Sequence, residues 1–489
     1  MLDTKTAVSA TALAVAAPVA ALLAYLLSFD LTTRQKLKGL NLPTPDIKSA
    51  FFIGQFREES FFYQMKTIFE SIRSTYKVHT PIGPMVVTDD PEDFKKVFLQ
   101  TNLEKGGANH EVRRYWGTNN LVTLPHGGEK GQIWKTQRTL LDQGFRIRAL
   151  KVLQSTFVRH TEKFVANLET LVDQEVDMTS LFADFTFDII TDVIGAGGEA
   201  PREFKDNMNF LIRRLENPAL LLPYGGYLMR YIMFRRANII VDKFLYKIIR
   251  ERKAARSHES FNEDKEHKTI LDFLLEAEDD NGRKLTDHEI RDQLYVFFLA
   301  GFETSSNTLG WMAYELASHK ECEQKLIDEV KSVDGPLDYD SARKLEYVQH
   351  CINECLRLYP PASNLTRETE QDFILPSRPD VIIPKGVQVT IFLFGMHRDP
   401  KYWDQAEEFV PERWSEPQQT PGAFGPFSSG SRVCIGRNFA LAEIATLIHG
   451  IYNKYRFELK ENVEKNGEID GRTGLLRPYK VVGYLRKQN

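Results

Sequence analysis

One cysteine stands in a pattern that could hold a metal ion. The run from Phe427 to Gly436 contains Arg432 and Cys434 and precedes a helix-forming stretch that begins at Arg437. A cysteine just ahead of a helix faces backbone N–H groups and the positive end of the helix dipole, and both favour thiolate over thiol. Such a sulfur is a good iron ligand, and the glycines of the run allow the loop to lie flat against a planar macrocycle. Arg432 could then reach a carboxylate of that macrocycle. The alternative is a buried structural cysteine.

A second chemical feature lies in the middle of a long helical pattern. A capping box formed by Thr286 and Glu289 opens this pattern, which continues to about Ser318. The middle of the helix is apolar on every side, which predicts that it is buried. Glu303 and Thr304 follow directly, and an acid and a hydroxyl inside an apolar helix cost free energy unless they are hydrogen-bonded. The alternative is a threonine bonded to its own helix beside a solvated glutamate.

The composition is that of a globular protein with a large core. Of 489 residues, 42% are hydrophobic and 11% are aromatic, which excludes disorder as the main state. The formal net charge of -4 supplies no basic field, so nucleic-acid binding is not expected. Four cysteines are too few for a disulfide scaffold and favour free thiols in a cytosol-facing protein. No linker or repeat divides the chain, so one large domain is expected.

The N-terminal segment has the character of a membrane anchor. Residues 7–29 carry no charge and are long enough to cross a bilayer. Three basic residues, Arg34, Lys36 and Lys38, follow this segment, whereas only Lys5 precedes it, so the body of the protein is expected on the cytosolic side. A cleaved signal peptide is the alternative. The predicted division is an anchor over 1–30, a basic and proline-containing hinge over 31–48, and a catalytic domain over 49–489.

Hydrophobic periodicity predicts a mainly α fold with a small β portion. One expected helix begins at Asp90, and another begins after Cys434. The others cover 150–171, 181–194 and 286 to about 318. The expected strands lie within 76–87, 381–383 and 387–394. The charged run 251–268 is interpreted as a solvated loop.

The spacing Phe-x-x-Gly-x-Arg-x-Cys-x-Gly resembles the cysteine loop of the cytochrome P-450 family. The members of this family are haem-thiolate monooxygenases. Ser428 stands where the family usually has glycine, and Ser431 stands where proline is frequent. The resemblance implies a single large haem domain with a long central helix over haem b (iron protoporphyrin IX). It also implies that Cys434 ligates the iron and that Phe427, Arg432 and Gly436 contact the haem.

Other signatures occur in the family's order. Glu354 and Arg357 match its Glu-x-x-Arg helix, and Arg413 resembles the arginine that completes a buried Glu-Arg-Arg network, which we interpret as structural. Trp134 and Arg138, one helical turn apart, resemble a pair that binds a haem propionate.

Arg367 falls where many members place a further propionate-binding arginine. The segment from Ala300 to Thr304 matches the family's oxygen-activating pattern. The resemblance implies that the helix passes over the iron here, where Gly301 gives the small cross-section that this passage needs. By resemblance, Thr304 holds water and oxygen ligands, and Glu303 relays protons.

The resemblance implies a monooxygenase that hydroxylates or epoxidises a lipophilic substrate. No flavin domain or dinucleotide fingerprint is present, so electrons are expected from a separate membrane-bound, NADPH-dependent flavoprotein reductase. The expected location is the endoplasmic reticulum membrane, with the catalytic domain facing the cytosol. Two alternatives are a haem-thiolate isomerase or dehydratase acting on peroxides and a non-catalytic haem-binding sensor. The pair Glu303 and Thr304 argues against both.

The residues expected to line the substrate pocket are mostly apolar. They are Phe297, Ala300, Ala362, Leu365, the segment 109–123, and Leu475 or Leu476.

Overall fold

The computed structural model describes residues 34–45, 61–80, 83–105, 117–196, 200–212, 232, 234–258, 268–278, 282–417, 420–471 and 475–488. The helices are α1 (Phe61–Ile72), α2 (Pro91–Leu99), α3 (Gly128–Asp142), α4 (Ile147–Glu169), α5 (Met178–Ile194), α6 (Arg202–Ile212), α7 (Arg235–His258), α8 (Ile270–Glu276), α9 (Asp287–Ser318), α10 (Lys320–Lys331), α11 (Tyr339–Lys344), α12 (Glu346–Leu358), α13 (Leu393–Met396) and α14 (Arg437–Tyr452). The strands are β1 (Tyr76–Thr80), β2 (Gly83–Thr88), β3 (Glu175–Asp177), β4 (Leu365–Glu368), β5 (Phe373–Leu375), β6 (Arg378–Ile383), β7 (Gln388–Ile391), β8 (Tyr455–Leu459), β9 (Ile469–Asp470), β10 (Arg477–Pro478) and β11 (Val482–Lys487). The fold is mainly α, as predicted.

The central helix α9 organises the largest core. Its N-terminus carries the predicted capping box, in which Thr286 and Glu289 satisfy each other's backbone N–H groups. The helix packs along α5, which begins at the cap residue Asp177 and ends at Gly195 in a left-handed conformation. Leu294, Phe298 and other buried apolar side chains of α9 join this core, which also includes α14.

A four-stranded sheet has the order β1-β2-β7-β4. β1 and β2 form the predicted hairpin, β2 pairs parallel with β7, and β4 pairs antiparallel with β7. This arrangement fixes Arg367 on β4 opposite Val389. The strands predicted near 381–383 and 387–394 are present, although the second ends at Ile391 and α13 follows it.

The beginning of the described chain is attached to the body. Leu37 is 1% exposed and Leu42 is 7% exposed, and both belong to a core cluster with Phe373 and Val381 of the β5–β6 hairpin. The expected anchor lies outside the described residues. None of the helices in the described ranges combines the length and apolar character needed to span a bilayer.

One prediction of local structure was wrong. The charged run 251–268 was expected to be a loop, but α7 continues into it as far as His258, and residues 259–267 lie outside the described ranges. Arg252 and Arg256 from this stretch bind the carboxylate of Asp272 on α8, which is 1% exposed. The charges of the run are therefore partly paired with a neighbouring helix, and this pairing favours continuation of the helix.

Candidate active site

The cysteine loop is held by its own backbone. Cys434 N donates to Phe427 O at 2.9 Å, and residues 430–432 form a short 3₁₀ turn between them. Gly430 has φ +69°, and a Cβ there would lie 2.0 Å from Phe98 O. This close approach, together with the left-handed backbone, requires glycine. The loop thus packs tightly against the end of α2.

The Cys434 side chain is accessible although protein surrounds it. Burial raises the pKa of its thiol, while the Gly436 N–H and the charges of Arg138 and Arg437 lower it by less. The expected preference for thiolate at a helix N-terminus is therefore outweighed by desolvation. The sulfur is therefore accessible to a ligand, although the surrounding protein desolvates it.

An accessible stripe interrupts the buried middle of α9. Ala300 is exposed, Gly301 and Thr304 are partly accessible, and their neighbours Phe302 and Glu303 are buried. The expectation of burial on every side was therefore wrong at Ala300 and Gly301. Thr304 lies four residues after Ala300 and three after Gly301, so it shares a helix face with each of them. The rest of the described chain does not fully cover this face.

Gly301 has a packing role that the sequence did not indicate. A Cβ at this position would lie 2.8 Å from Cδ1 of Ile190 on α5. The glycine therefore allows α5 and α9 to approach closely. The expectation that its small size serves only a passage over iron gave an incomplete reason.

Glu303 and Thr304 are adjacent but have different surroundings. Thr304 Oγ1 donates to Ala300 O at 2.9 Å, so the hydroxyl bonds its own helix while remaining partly accessible. Glu303 is 5% exposed, and its Oε1 lies 3.7 Å from Nη1 of Arg477. Arg477 also binds Asp470 at 2.8 Å. The acid is thus placed beside a cation from β10, a contact that no sequence motif revealed.

Trp134, Arg138 and Arg432 converge around the cysteine loop. Arg432 lies over the Trp134 ring, with its Cζ 3.7 Å from the ring centroid. Trp134 Nε1 and Arg432 Nη1 both donate to Leu121 O, at 3.2 and 3.0 Å. Arg138 Nη1 donates to the carbonyl of Val433, the residue before the cysteine, at 2.8 Å. Three separately predicted residues are thus brought together.

His126 is a member of this cluster that sequence reasoning missed. Its Nε2 lies 3.1 Å from Arg432 Nε, and its ring lies 5.2 Å from that of Trp134. Burial, followed by the positive charge of Arg432, lowers the pKa of His126 to about 4. The histidine is therefore neutral at pH 7 and accepts from Arg432.

Arg367 is a buried cation suited to an anionic group. It is 7% exposed and stacks on Phe98, with 4.4 Å between Cζ and the ring centroid. Burial lowers the pKa of its guanidinium to about 10, against a smaller opposing effect of Glu104. Among the described residues, Arg367 forms no ion pair, and its Nη1 donates to Thr366 O at 2.9 Å. A buried cation without an ion-pair partner is costly, so this site fits a ligand with a carboxylate.

The predicted Glu-Arg-Arg network is confirmed. Arg357 binds Glu354 through two bonds of 2.8 and 2.9 Å, and both side chains are fully buried. Arg413 Nε reaches Glu354 Oε1 at 3.0 Å, and Trp414 Nε1 donates to Oε2 at 3.0 Å. Arg357 also donates to three backbone carbonyls between residues 397 and 408. The network fixes the segment that precedes the cysteine loop.

The expected pocket residues fall into two groups. Ala362, Leu365 and Leu475 are partly accessible, and Ala362 pairs with Leu475. Phe297 and Leu476 instead belong to the core, where Phe297 stacks on Phe145. Residues 109–116 lie outside the described ranges.

Comparison with known proteins identifies the family. A cytochrome P450 family model matches residues 42–483. Cytochrome P450 3A30 of Fundulus heteroclitus is 27% identical over 421 residues, which is 82% of this chain and 83% of the relative. Probable cytochrome P450 6a19 of Drosophila melanogaster is 30% identical over 402 residues, 77% of each chain. Lithocholate 6-beta-hydroxylase of Mesocricetus auratus is 28% identical over 413 residues, 78% of each chain. Because the match extends from the N-terminal sheet through the central helix and the cysteine loop, this chain belongs to the cytochrome P450 family of haem-thiolate monooxygenases, whose cofactor is haem b.

Proposed function

We propose that this oxidoreductase hydroxylates or epoxidises a lipophilic substrate with electrons from a separate NADPH-dependent flavoprotein reductase. The observation that carries the proposal is the accessible stripe of α9, where Thr304 lies beside the buried acid Glu303. We assign Cys434 as the residue that would bind the iron, and Ala300, Gly301 and Thr304 as residues that would line the haem site.

The remaining contacts to the cofactor are assigned by charge and position. Arg367, Arg432, Trp134 and Arg138 would hold the propionates, since two of these arginines are held in place and Arg367 lacks an ion-pair partner in the described chain. Phe427 and Gly436 would contact the macrocycle on either side of Cys434. When bound, the haem supplies dioxygen activation, and a thiolate ligand favours O–O cleavage.

Proton supply is the role of the α9 pair. Thr304 donates its only hydroxyl proton to Ala300 O, so its oxygen lone pairs remain to accept a hydrogen bond from water. Glu303 would pass protons toward that water, and Arg477 would hold its carboxylate in place. A peroxide isomerase or a haem sensor has no need of such a relay, and therefore the pair favours oxygenation.

The reductase is expected to dock on the face that bears the cysteine loop. Lys130 and Lys135 on α3 and Arg437 at the start of α14 are all exposed. Three exposed cations near the loop suit an acidic partner surface, because complementary charge steers association.

The proposed location is the endoplasmic reticulum membrane, with the catalytic domain facing the cytosol. This placement is supported by the uncharged segment 7–29 and by the basic residues that follow it. A lipophilic substrate is supported by the partly accessible apolar side chains of Ala362, Leu365 and Leu475. The relative named lithocholate 6-beta-hydroxylase supports hydroxylation as the reaction type.

The test is oxygen consumption by the full-length protein in lipid vesicles. With NADPH, a reductase and a substrate selected by its binding spectrum, we expect dioxygen uptake that matches oxygenated product. Turnover of a lipid peroxide without reductase, and without NADPH-dependent uptake, would instead establish the isomerase or dehydratase. A haem spectrum that persists with neither activity would establish the sensor.

A further inference from the structure

The central helix α9 holds a loop that comprises residues 117–124. On its other side, this loop contacts Trp134 and Arg432, two of the side chains assigned to haem binding. Asp292 Oδ2 accepts from Thr118 N at 3.0 Å and from Asn119 N at 3.2 Å. The next helix residue, Gln293, accepts from Leu121 N through Oε1 at 3.2 Å. The Asp292 side chain is 0% exposed, so these bonds form away from water, where charge-assisted bonds are strong.

The opposite side of the loop determines where Trp134 and Arg432 lie. Leu121 O accepts from both of them, and Leu124 O accepts from Arg432 Nη2 at 2.8 Å. A shift of the loop backbone would move these carbonyls. The two side chains would then lose the acceptors that fix their orientation.

The buried charge of Asp292 is compensated by its neighbour Arg291. Arg291 Nη1 lies 2.9 Å from Asp292 Oδ1, and Arg291 Nε binds Asp242 on α7 at 2.6 Å. The Arg291 side chain is 1% exposed. A buried carboxylate that lost such a partner would be strongly destabilising. The arrangement therefore joins α7, α9 and the loop.

Gly117 allows the loop to approach the carboxylate. It has φ +99°, and a Cβ there would lie 2.4 Å from the Asp292 carboxyl group. Within the loop, Asn120 Oδ1 accepts from Val122 N and Thr123 N at 3.0 Å each. The loop is thus compact in itself, and its attachment to α9 depends on this close approach.

We propose that Asp292 is a positioning residue for haem binding, which acts by holding residues 117–124 so that Leu121 and Leu124 orient Trp134 and Arg432. The proposal rests on the proposed function, because it assumes that these two side chains bind the haem. Within the described ranges, Asp292 forms no hydrogen bond or ion pair with Cys434, Ala300, Gly301 or Thr304. Its effect passes through the backbone of the loop.

The test compares three single variants of the full-length protein and the double variant that combines Asp292→Asn with Gly117→Ala. Asp292→Asn removes the charge, and Gly117→Ala disrupts the same contact from the loop side. Asp272→Asn is the matched control, because Asp272 is likewise buried, at 1% exposure, and likewise binds an arginine and accepts from a backbone N–H, that of Thr269 at 2.9 Å. The measurements are hydrogen exchange at the Thr118 and Asn119 amides, the rate of haem transfer to apomyoglobin, and the midpoint potential of the haem iron.

Asp292→Asn and Gly117→Ala should each accelerate amide exchange and haem loss by about 10-fold, the usual cost of removing an outer-shell partner. The midpoint potential should fall, because a displaced Arg432 no longer compensates propionate charge. The double variant should be no worse than either single variant, since both remove one contact. Asp272→Asn should change none of these readouts. Equal haem loss in Asp272→Asn and Asp292→Asn, or unchanged exchange at the two amides, would overturn the proposal.

Hydrogen exchange separates this proposal from the proposed function. The exchange of Thr118 and Asn119 reports the attachment of the loop whether or not haem is bound. A preparation that cannot take up haem would refute the proposed function alone. If Asp292→Asn does not fold, Gly117→Ala still decides the question.

Discussion

The guanidinium of Arg477 lies 3.7 Å from the carboxylate of Glu303 and reaches it from a different part of the chain. Arg477 belongs to β10, whereas Glu303 lies in the middle of α9. The same guanidinium binds Asp470 at 2.8 Å, so it lies between two acids. The proposed proton relay therefore has a cation beside it that is anchored independently.

Arg477→Gln should lower the coupling of NADPH consumption to product formation. The Arg477 guanidinium lies 3.7 Å from Glu303 Oε1, so its loss should leave the carboxylate less well positioned toward the water at Thr304. The control is Arg486→Gln, which should couple like the parent, because Arg486 is a partly exposed arginine that also lies between two acids, Asp173 and Glu458. Equal product per NADPH in Arg477→Gln and the parent would show that Arg477 does not act on the relay.

Cys434→His should abolish the long-wavelength carbon monoxide band of the reduced protein. That band requires a thiolate ligand, and Cys434 is the only one of the four cysteines in the sequence that is flanked by the Phe, Gly and Arg of the family's loop. Cys322→Ser is the control and should retain the band, since Cys322 is a partly exposed free thiol on α10. Retention of the band in Cys434→His would exclude Cys434 as the ligand.

Thr304→Ala should divert reducing equivalents to hydrogen peroxide while preserving the haem spectrum. Product formed per NADPH should fall by about 10-fold, a modest loss for a group in a proton relay. Thr308→Ala is the matched control, because Thr308 makes the same type of bond, to Thr304 O at 3.0 Å, but is only 3% exposed. Product, NADPH and peroxide are measured together. Equal coupling in the parent and Thr304→Ala would remove Thr304 from the mechanism.

Ser428→Gly should stabilise the protein by about 1 kcal/mol. Ser428 has φ +63°, a left-handed conformation that is costly for a residue with a Cβ. Its buried hydroxyl also has no hydrogen-bond partner among the described residues. The measurement is the midpoint of thermal loss of the carbon monoxide band, which should rise. Gly430→Ala should lower it, because its Cβ would meet Phe98 O.

The features that the sequence predicted are local or depend on a strict motif. The capping box at Thr286 needs only residues three apart, and the bond between Glu354 and Arg357 needs only one helical turn. The family's usual glycine at the position of Ser428 also acquires a physical reason, because the backbone there has a positive φ that suits glycine. Such features can be read from spacing, since the local geometry alone brings the groups together.

The features that the sequence did not predict depend on contacts between distant segments. Arg477 with Glu303, Asp292 with Thr118, and Gly301 with Ile190 each join parts of the chain more than 100 residues apart. No periodicity encodes such pairs. The pKa of the Cys434 thiol is a similar case, because burial by the whole fold outweighs the local helix terminus.

Removing residues 1–30 should release the protein from membranes without loss of the haem spectrum. This cut leaves Leu37 and Leu42 in the core cluster that they share with the β5–β6 hairpin. Removing residues 1–42 should also release the protein but lower its thermal midpoint, because each buried leucine contributes about 1.5–3 kcal/mol. Sedimentation with vesicles in high salt and the thermal midpoint of the carbon monoxide band test both forms. Membrane binding by the first form would show that the body contributes a binding surface, and equal midpoints would show that residues 34–42 do not stabilise the body.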